Sequence, residues 1–285
     1  MSDIKTVTPD SLALALDFLN TNSETTTILS GGTDLMVSNA SSLEGIFKEN
    51  ILNLLDIKEL NFIKDDGNCI KIGPTVSHTQ LAESEIIKQH AFILSKCASI
   101  IGGPQIRNRG TIGGNICNAS PAGDLIPSLF VLDGKLKLKS STGERIVAIE
   151  DFANAPRKTI LGKDEILVEI TVNKTNASDI SDFQRVAPRK SLAITKASVA
   201  LFAENKDGKL LNVKIALGSV GPTVIRAKHA EKLIEGSVLN EELVKKAVEE
   251  IGKDASPIAD IRSTAEYRSY ILGALLKRIL EGYLT

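Results

Sequence analysis

The sequence predicts an α+β protein of two domains, and three observations lead there. Its 285 residues exceed the size of an average single domain. The hydrophobic pattern mixes short strands and helices at first and then gives strands followed by helices, an order that argues against a doubly wound sheet. Between them, residues 173–182 read NKTNASDISD, a polar stretch without periodicity and the candidate boundary. A hydrophobic content of 42% is enough for real cores. Lys and Arg total 34 against 35 for Asp and Glu, a net charge of −1 that leaves no footprint for nucleic acid or an anionic membrane.

The elements follow in order. Residues 9–20, PDSLALALDFLN, carry Leu12, Ala15, Leu16 and Leu19 at helical spacing behind an Asp10 or Ser11 cap. TTTIL is a short buried strand, and ILNLL and CIKIG are two more. HTQLAES and AFILSKCASII are helical, and PAGDLIPSLFVLD predicts a helix starting near Pro121. KLKLK alternates as a half-exposed strand, and EILVEITV is strongly β-prone. Past the boundary, two strand runs meet at Asp207-Gly208, a hairpin signal. Helices are predicted over 225–234, 241–251 and about 263–280. No apolar run approaches the length of a membrane span. The amphipathic first helix lacks the features of a signal peptide, so the expected compartment is the cytoplasm.

Cysteine and histidine exclude more than they suggest. Cys69, Cys97 and Cys117 lack CxxC spacing and are one thiolate short of an ordinary iron–sulfur cluster. His78, His90 and His229 are scattered. No metal site is expected within the chain, and all six are read as structural or solvent-facing, with Cys117 a small buried filler.

Two glycine corners carry the chemistry. ILSGGTDL runs from Ile28 to Leu35, and TIGGN from Thr111 to Asn115, with Asp124 downstream. Each Gly-Gly is either a tight turn or a bare backbone that lets a ligand reach main-chain N–H groups. Thr33, Thr111 and Asn115 add short neutral hydrogen-bonding groups. Two such corners on one lobe could clamp a pyrophosphate from both sides. Neither a GxGxxG fingerprint nor a GxxxxGK[ST] loop is present.

SGGTDL together with IGGPQIRNRGTIGGNICNASPAGD resembles the two flavin-binding motifs of the molybdenum hydroxylase flavoproteins, the FAD-binding or medium subunits of xanthine dehydrogenase and carbon monoxide dehydrogenase. EILVEITV, FQRVAPRKSLAI and the C-terminal α/β lobe extend the likeness along nearly the whole chain. The resemblance implies an FAD-binding fold of the p-cresol methylhydroxylase (PCMH) and vanillyl-alcohol oxidase type with two α/β subdomains, at about 1–55 and 56–175. A C-terminal domain of antiparallel sheet and helices over 176–285 would follow.

By position, the likeness implies that Ile28, Leu29, Ser30, Gly31, Gly32, Thr33, Asp34 and Leu35 wrap the FAD pyrophosphate. Thr111, Ile112, Gly113, Gly114 and Asn115 would form the second loop, and Asp124 would hold polar groups of the cofactor or serve as a helix N-terminal charge. Ile101 and Leu167 would line the flavin or adenine, or be plain core residues. Arg185 falls where the family more often has lysine, and Ser30 replaces the commoner alanine. Arg107 and Arg109 would meet phosphate, a partner subunit or solvent. The loop from Ile101 to Arg109 is expected as a contact loop, rather than a helix, for an iron–sulfur partner.

The implied reaction assigns no catalytic residue to the chain, because the flavin carries the redox step. Electrons would arrive from the [2Fe–2S] clusters of a small subunit, themselves supplied by a molybdopterin-containing large subunit, and leave to NAD+ or another acceptor. A self-contained FAD oxidoreductase of the same fold and a non-redox nucleotide-binding regulatory module are the alternatives.

Overall fold

The computed structural model describes residues 4–38 and 48–284. The chain opens with β1 (Lys5–Val7), α1 (Leu12–Asn22), β2 (Thr26–Leu29), α2 (Leu35–Ser38) and β3 (Asn50–Asn53). The three strands form a parallel sheet in the order β1-β3-β2. The hydroxyl of Ser11 caps α1 by accepting the Leu14 N–H. Its inward stripe of Ala15, Leu16 and Leu19 then packs on Leu52, Leu54 and Ile57.

A second unit follows. It contains β4 (Ile63–Asp66), β5 (Cys69–Ile72) and six helices: α3 (His78–Glu83), α4 (Glu85–His90), α5 (Phe92–Ser99), α6 (Pro104–Arg109), α7 (Ile112–Asn118) and α8 (Leu125–Val131). It continues through β6 (Lys135–Lys139), β7 (Glu144–Ala148), the single turn α9 (Ile149–Phe152), the small ribbon β8 (Ala153–Ala155) and β9 (Lys158–Thr159), and β10 (Ile166–Asn173). Five strands make a sheet in the order β4-β5-β10-β6-β7, with antiparallel neighbours. β10 separates two cores. Ile166 and Val168 join the core of the first unit, while Leu167, Ile170 and Val172 join the central one. A register shift between Leu167 and Glu169 accounts for that set, since one extra residue brings Leu167 onto the face of Ile170.

The last unit is a four-stranded antiparallel sheet, β11 (Ile180–Val186), β12 (Ala197–Lys206), β13 (Lys209–Gly218) and β14 (Ile225–Arg226), in that order. Helices α10 (Lys228–Ile234), α11 (Glu241–Glu250) and α12 (Ala265–Glu281) follow. The β12–β13 hairpin turns at Asp207 (φ 53°) and Gly208 (φ 81°), the pair of positive φ values that a two-residue turn of this hand needs. One face of the sheet, with Val199, Leu201, Ile215 and Leu217, packs on the C-terminal helices. The other, with Phe183, Ala200, Phe202 and Ala216, is part of the central core beside α5 and α8. Both faces being covered, β12 is a nearly unbroken buried run. Among the described residues no helix is long and apolar enough to cross a membrane.

Four local expectations are corrected. Residues 104–109 form α6 rather than an open loop, because Pro104 at the first helical position pre-sets φ and has no N–H to satisfy. The helix expected near Pro121 starts at Leu125, after a turn in which Gly123 N–H donates to the Ser120 carbonyl. Ile225 and Arg226 extend the sheet before α10 begins. The TIGGN motif is not a bare corner, since Ile112–Asn118 are helical.

Candidate functional site

The three units meet at one cleft of about 1350 Å³, larger than the ~300–1,000 Å³ of ordinary small-ligand sites and suited to a long ligand. Sixteen of the seventeen residues singled out from the sequence line it: 28–35, Ile101, Thr111, Gly113, Gly114, Asn115, Asp124, Leu167 and Arg185. The exception is Ile112. Its side chain is fully buried in the central core and its N–H donates to the Val76 carbonyl.

The glycine pairs divide their work. In each pair the first glycine permits close packing, while Gly32 supplies a left-handed turn and Gly114 is exposed. A Cβ on Gly31 would lie 2.0 Å from the Arg109 carbonyl oxygen, and one on Gly113 would lie 2.6 Å from Pro74 Cβ. Gly31 thus lets the first corner rest on the peptide just before the second, where the Ser30 and Thr111 hydroxyls meet at 3.0 Å. Gly32 has φ +74°, a left-handed conformation that turns the chain after β2. The N–H groups of Gly31, Gly32 and Thr33 donate to no protein acceptor among the described residues. Gly114 is exposed, and a Cβ there would meet only the Thr111 hydroxyl, at 3.0 Å.

The second corner is built differently from the first. Thr111 is the N-cap of α7, and its hydroxyl accepts the Gly114 N–H at 3.1 Å. Ile112 and Gly113 donate to the carbonyls of Val76 and Pro74. The amides of Ile112, Gly113, Gly114 and Asn115 are therefore committed inside the protein, and the Thr111 N–H alone of the five donates to no protein acceptor among the described residues. The corner presents that N–H, side chains and a bare glycine surface instead of a backbone nest. Asn115 Oδ1 is buried without a hydrogen-bond partner, a polar atom in the cleft wall that the protein leaves unsatisfied.

Asp124 and Arg185 are bound to each other. Their ion pair is about nine-tenths buried on both sides. Thr195 Oγ1 donates to the other Asp124 oxygen at 2.6 Å, and Arg185 Nη2 donates to the Ile100 carbonyl at 2.6 Å. Burial raises the Asp124 carboxyl above the ordinary carboxylate range, and the Arg185 charge and Thr195 hydroxyl oppose the rise. Both carboxylate oxygens being used, Asp124 ties the cleft wall together. At the N-terminal end of α8 it makes no side-chain cap.

Several lining residues carried no signal in the sequence. His78 is buried, its Nδ1 has no partner, and burial together with the Arg107 charge pushes its pKa down to about 4. Cys117 packs against the central core from the cleft wall, as a small filler does, with its thiol pushed up to about 12 by burial. Arg157, at the turn between β8 and β9, donates from Nη1 to Asp34 and to Asn118, each at 2.8 Å. Ser219, Asp260 and Arg268 of the C-terminal unit close the far end. Apart from Cys117, which lies within the second motif, these come from chain segments distant in sequence, and short-range periodicity is blind to such proximity. Arg107 is half-buried and donates to the Ile101 carbonyl, whereas Arg109 is exposed and outside the cleft. Among the described residues no group of three or more His, Cys, Asp or Glu side chains could hold a metal ion.

An FAD fits these residues. The first corner offers three unused N–H groups to a diphosphate; the second offers a surface without side chains and, at Asn115, an unsatisfied amide oxygen that can accept from a cofactor hydroxyl; and Ile101, Leu161, Ile166 and Leu167 offer apolar surface to rings.

Comparison with known proteins agrees. Residues 2–174 match the family model of the FAD binding domain in molybdopterin dehydrogenase. Residues 183–282 match that of the CO dehydrogenase flavoprotein C-terminal domain. The chain is 30% identical to the xanthine dehydrogenase FAD-binding subunit of Escherichia coli O157:H7, over 94% of this chain and 92% of the relative. It is 29% identical to the nicotine 6-hydroxylase medium subunit of Paenarthrobacter nicotinovorans, over 97% and 96%. The solved structure of carbon monoxide dehydrogenase from Hydrogenophaga pseudoflava superposes with a TM-score of 0.92 at 27% identity, covering 98% of this chain and 96% of that one.

Proposed function

Since the chain belongs to the FAD-binding subunits of the molybdopterin dehydrogenases, we propose that it is the electron-exit subunit of such a complex. In this reading it receives electrons from the [2Fe–2S] clusters of a small partner subunit, served by a molybdopterin-containing large subunit, and delivers them to NAD+ or another acceptor in the cytoplasm. FAD, when bound, supplies both one-electron and two-electron transfer. The observation that carries the proposal is the set of unused N–H groups at Gly31, Gly32 and Thr33, facing Thr111, Gly114 and Asn115 across one cleft. The chain's residues bind and orient rather than exchange protons. Gly31–Thr33 cradle the diphosphate, and the glycine face of α7 lets it approach. Ile101 and Leu167 exclude water from the ring system. Asp124, Thr195 and Arg185 hold the C-terminal unit against the cleft. The three cysteines are unpaired, which suits a reducing compartment.

Residues 1–175 are assigned to the FAD-binding domain, with subdomains at about 1–55 and 56–175, and residues 176–285 to the C-terminal domain. The polar link between β10 and β11 supports this division. A self-contained oxidoreductase would need a substrate base beside the flavin. His78, held neutral and buried, is unsuited to a group that must take up and release protons near neutral pH.

The test uses the protein expressed alone. Denaturation should release FAD and no FMN, since two facing corners suit a diphosphate. The holoprotein should leave xanthine, aldehydes and carbon monoxide unoxidised with a dye acceptor. FMN as the sole flavin would overturn the cofactor assignment, and turnover of any of the three substrates would overturn the subunit reading.

A further inference from the structure

The first corner poses an electrostatic problem. A diphosphate is a dianion, yet the corner that cradles it ends in Asp34, a half-exposed carboxylate directly after Thr33. Backbone N–H groups carry only partial charge, so an unneutralised carboxylate beside the cradle would oppose binding. Of the four arginines that line the cleft, three are engaged elsewhere. Arg185 pairs with Asp124, Arg268 with Asp260 and the Ser219 carbonyl, and Arg262 with Asp260. Arg157 is the one placed at the corner.

Its position is held by backbone as well as by charge. Arg157 has φ 58°, a left-handed conformation uncommon for arginine. Its N–H donates at 3.0 Å to the carbonyl of Ala119, itself left-handed at φ 44° at the end of α7. Two strained residues are thus bonded to each other. They aim the guanidinium so that one nitrogen bridges Asp34, in the first corner, and Asn118, at the end of the helix that carries the second. Nε and Nη2 donate to no protein group among the described residues, so three of the five guanidinium N–H donors remain for a ligand.

We propose that Arg157 is a further cofactor-binding residue, a cationic clasp that closes the cleft between Asp34 and Asn118 and donates to the FAD diphosphate. This rests on the reading of the cleft as the FAD site. The clasp cancels the Asp34 charge and supplies charge-assisted donors that the neutral cradle lacks. It also ties the first unit to the end of α7, so leaving the cleft requires these bonds to break. Its contribution belongs to the dissociation rate and to the salt dependence of binding.

The experiment measures FAD dissociation and equilibrium binding, by the change in flavin fluorescence, for the full chain and two variants. Arg157→Asn removes the charge while keeping a residue that tolerates left-handed backbone. Arg157→Lys keeps the charge without the fork. Circular dichroism and thermal melting confirm that both fold. Arg157→Asn should release FAD roughly tenfold faster or more and flatten the salt dependence. Arg157→Lys should keep the salt dependence and lose part of the affinity. Native release rate and native salt dependence in Arg157→Asn would overturn the clasp. If Gly32→Val loses FAD in the same assay, the flavin site stands and the clasp alone has failed. A native chain that takes up no FAD would overturn the reading beneath both.

Discussion

At the scale of single residues, the two members of each glycine pair should fail in different ways. Gly31→Ala drives a methyl into the Arg109 carbonyl, so the corner must move. The protein should lose stability, by roughly 1–3 kcal/mol in denaturant unfolding, along with FAD. Gly32→Val forces a β-branched residue to φ +74° but meets only the Leu29 and Met36 side chains. FAD uptake should vanish while far-UV dichroism stays native. Gly114→Val has no forbidden backbone to adopt, yet it projects side chain toward the cleft. Its stability loss should be modest and its FAD affinity poor. Equal flavin content in Gly114→Val and the native chain would remove that glycine from the site.

His78 gives a residue-scale prediction in pH. Its pKa lies near 4 in the folded chain and near 6.5 when unfolded. The unfolded state therefore binds more protons between those values, and stability falls as pH falls from about 6.5 toward 4. The full loss is on the order of 3 kcal/mol. Chemical denaturation across that range should show a shallower fall for His78→Phe, and an unchanged slope would mean that the imidazole is solvated.

At the scale of elements, α7 is the case to examine. It is a seven-residue helix with two glycines in its first turn, so its intrinsic propensity is poor. It exists because its first N–H groups are taken by the Val76 and Pro74 carbonyls and by the Thr111 hydroxyl. Removing that cap by Thr111→Val should cost about 1–2 kcal/mol in unfolding experiments and weaken FAD binding, since the Ser30 contact goes too. Thr111→Ser keeps both hydroxyl functions and should recover most of each loss. If serine does not rescue, the methyl and not the cap is what matters.

At the scale of the whole molecule, the buried knot of Arg185, Asp124 and Thr195 joins β11 to the entrance of α8, and its last bond reaches the end of α5. Arg185→Leu would leave a buried carboxyl without its partner, a change worth roughly 3–5 kcal/mol. The double variant Arg185→Leu with Asp124→Leu should be more stable than the single one, because no orphan charge remains. A single variant as stable as the native chain would mean that the knot is not buried in solution. With β11–β13 sharing the central core, both domains should unfold in one transition.

The fold class, most helices and strands, the polar link before the C-terminal unit and the two glycine motifs were legible in the sequence. These are written in short-range pattern: helical stripes such as Ala15-Leu16-Leu19, alternation such as KLKLK, and the Asp207-Gly208 turn. What the motifs do depends on packing between distant segments. That the Ile112 and Gly113 amides of TIGGN are spent on Val76 and Pro74 depends on which carbonyls lie opposite. Neither Asp124's commitment to Arg185 nor Arg157's reach to Asp34 and Asn118 follows from spacing, because each bond joins segments tens of residues apart. A glycine pair looks the same in sequence whether its missing Cβ makes room for a ligand or for another backbone; packing alone separates Gly31 from Gly32.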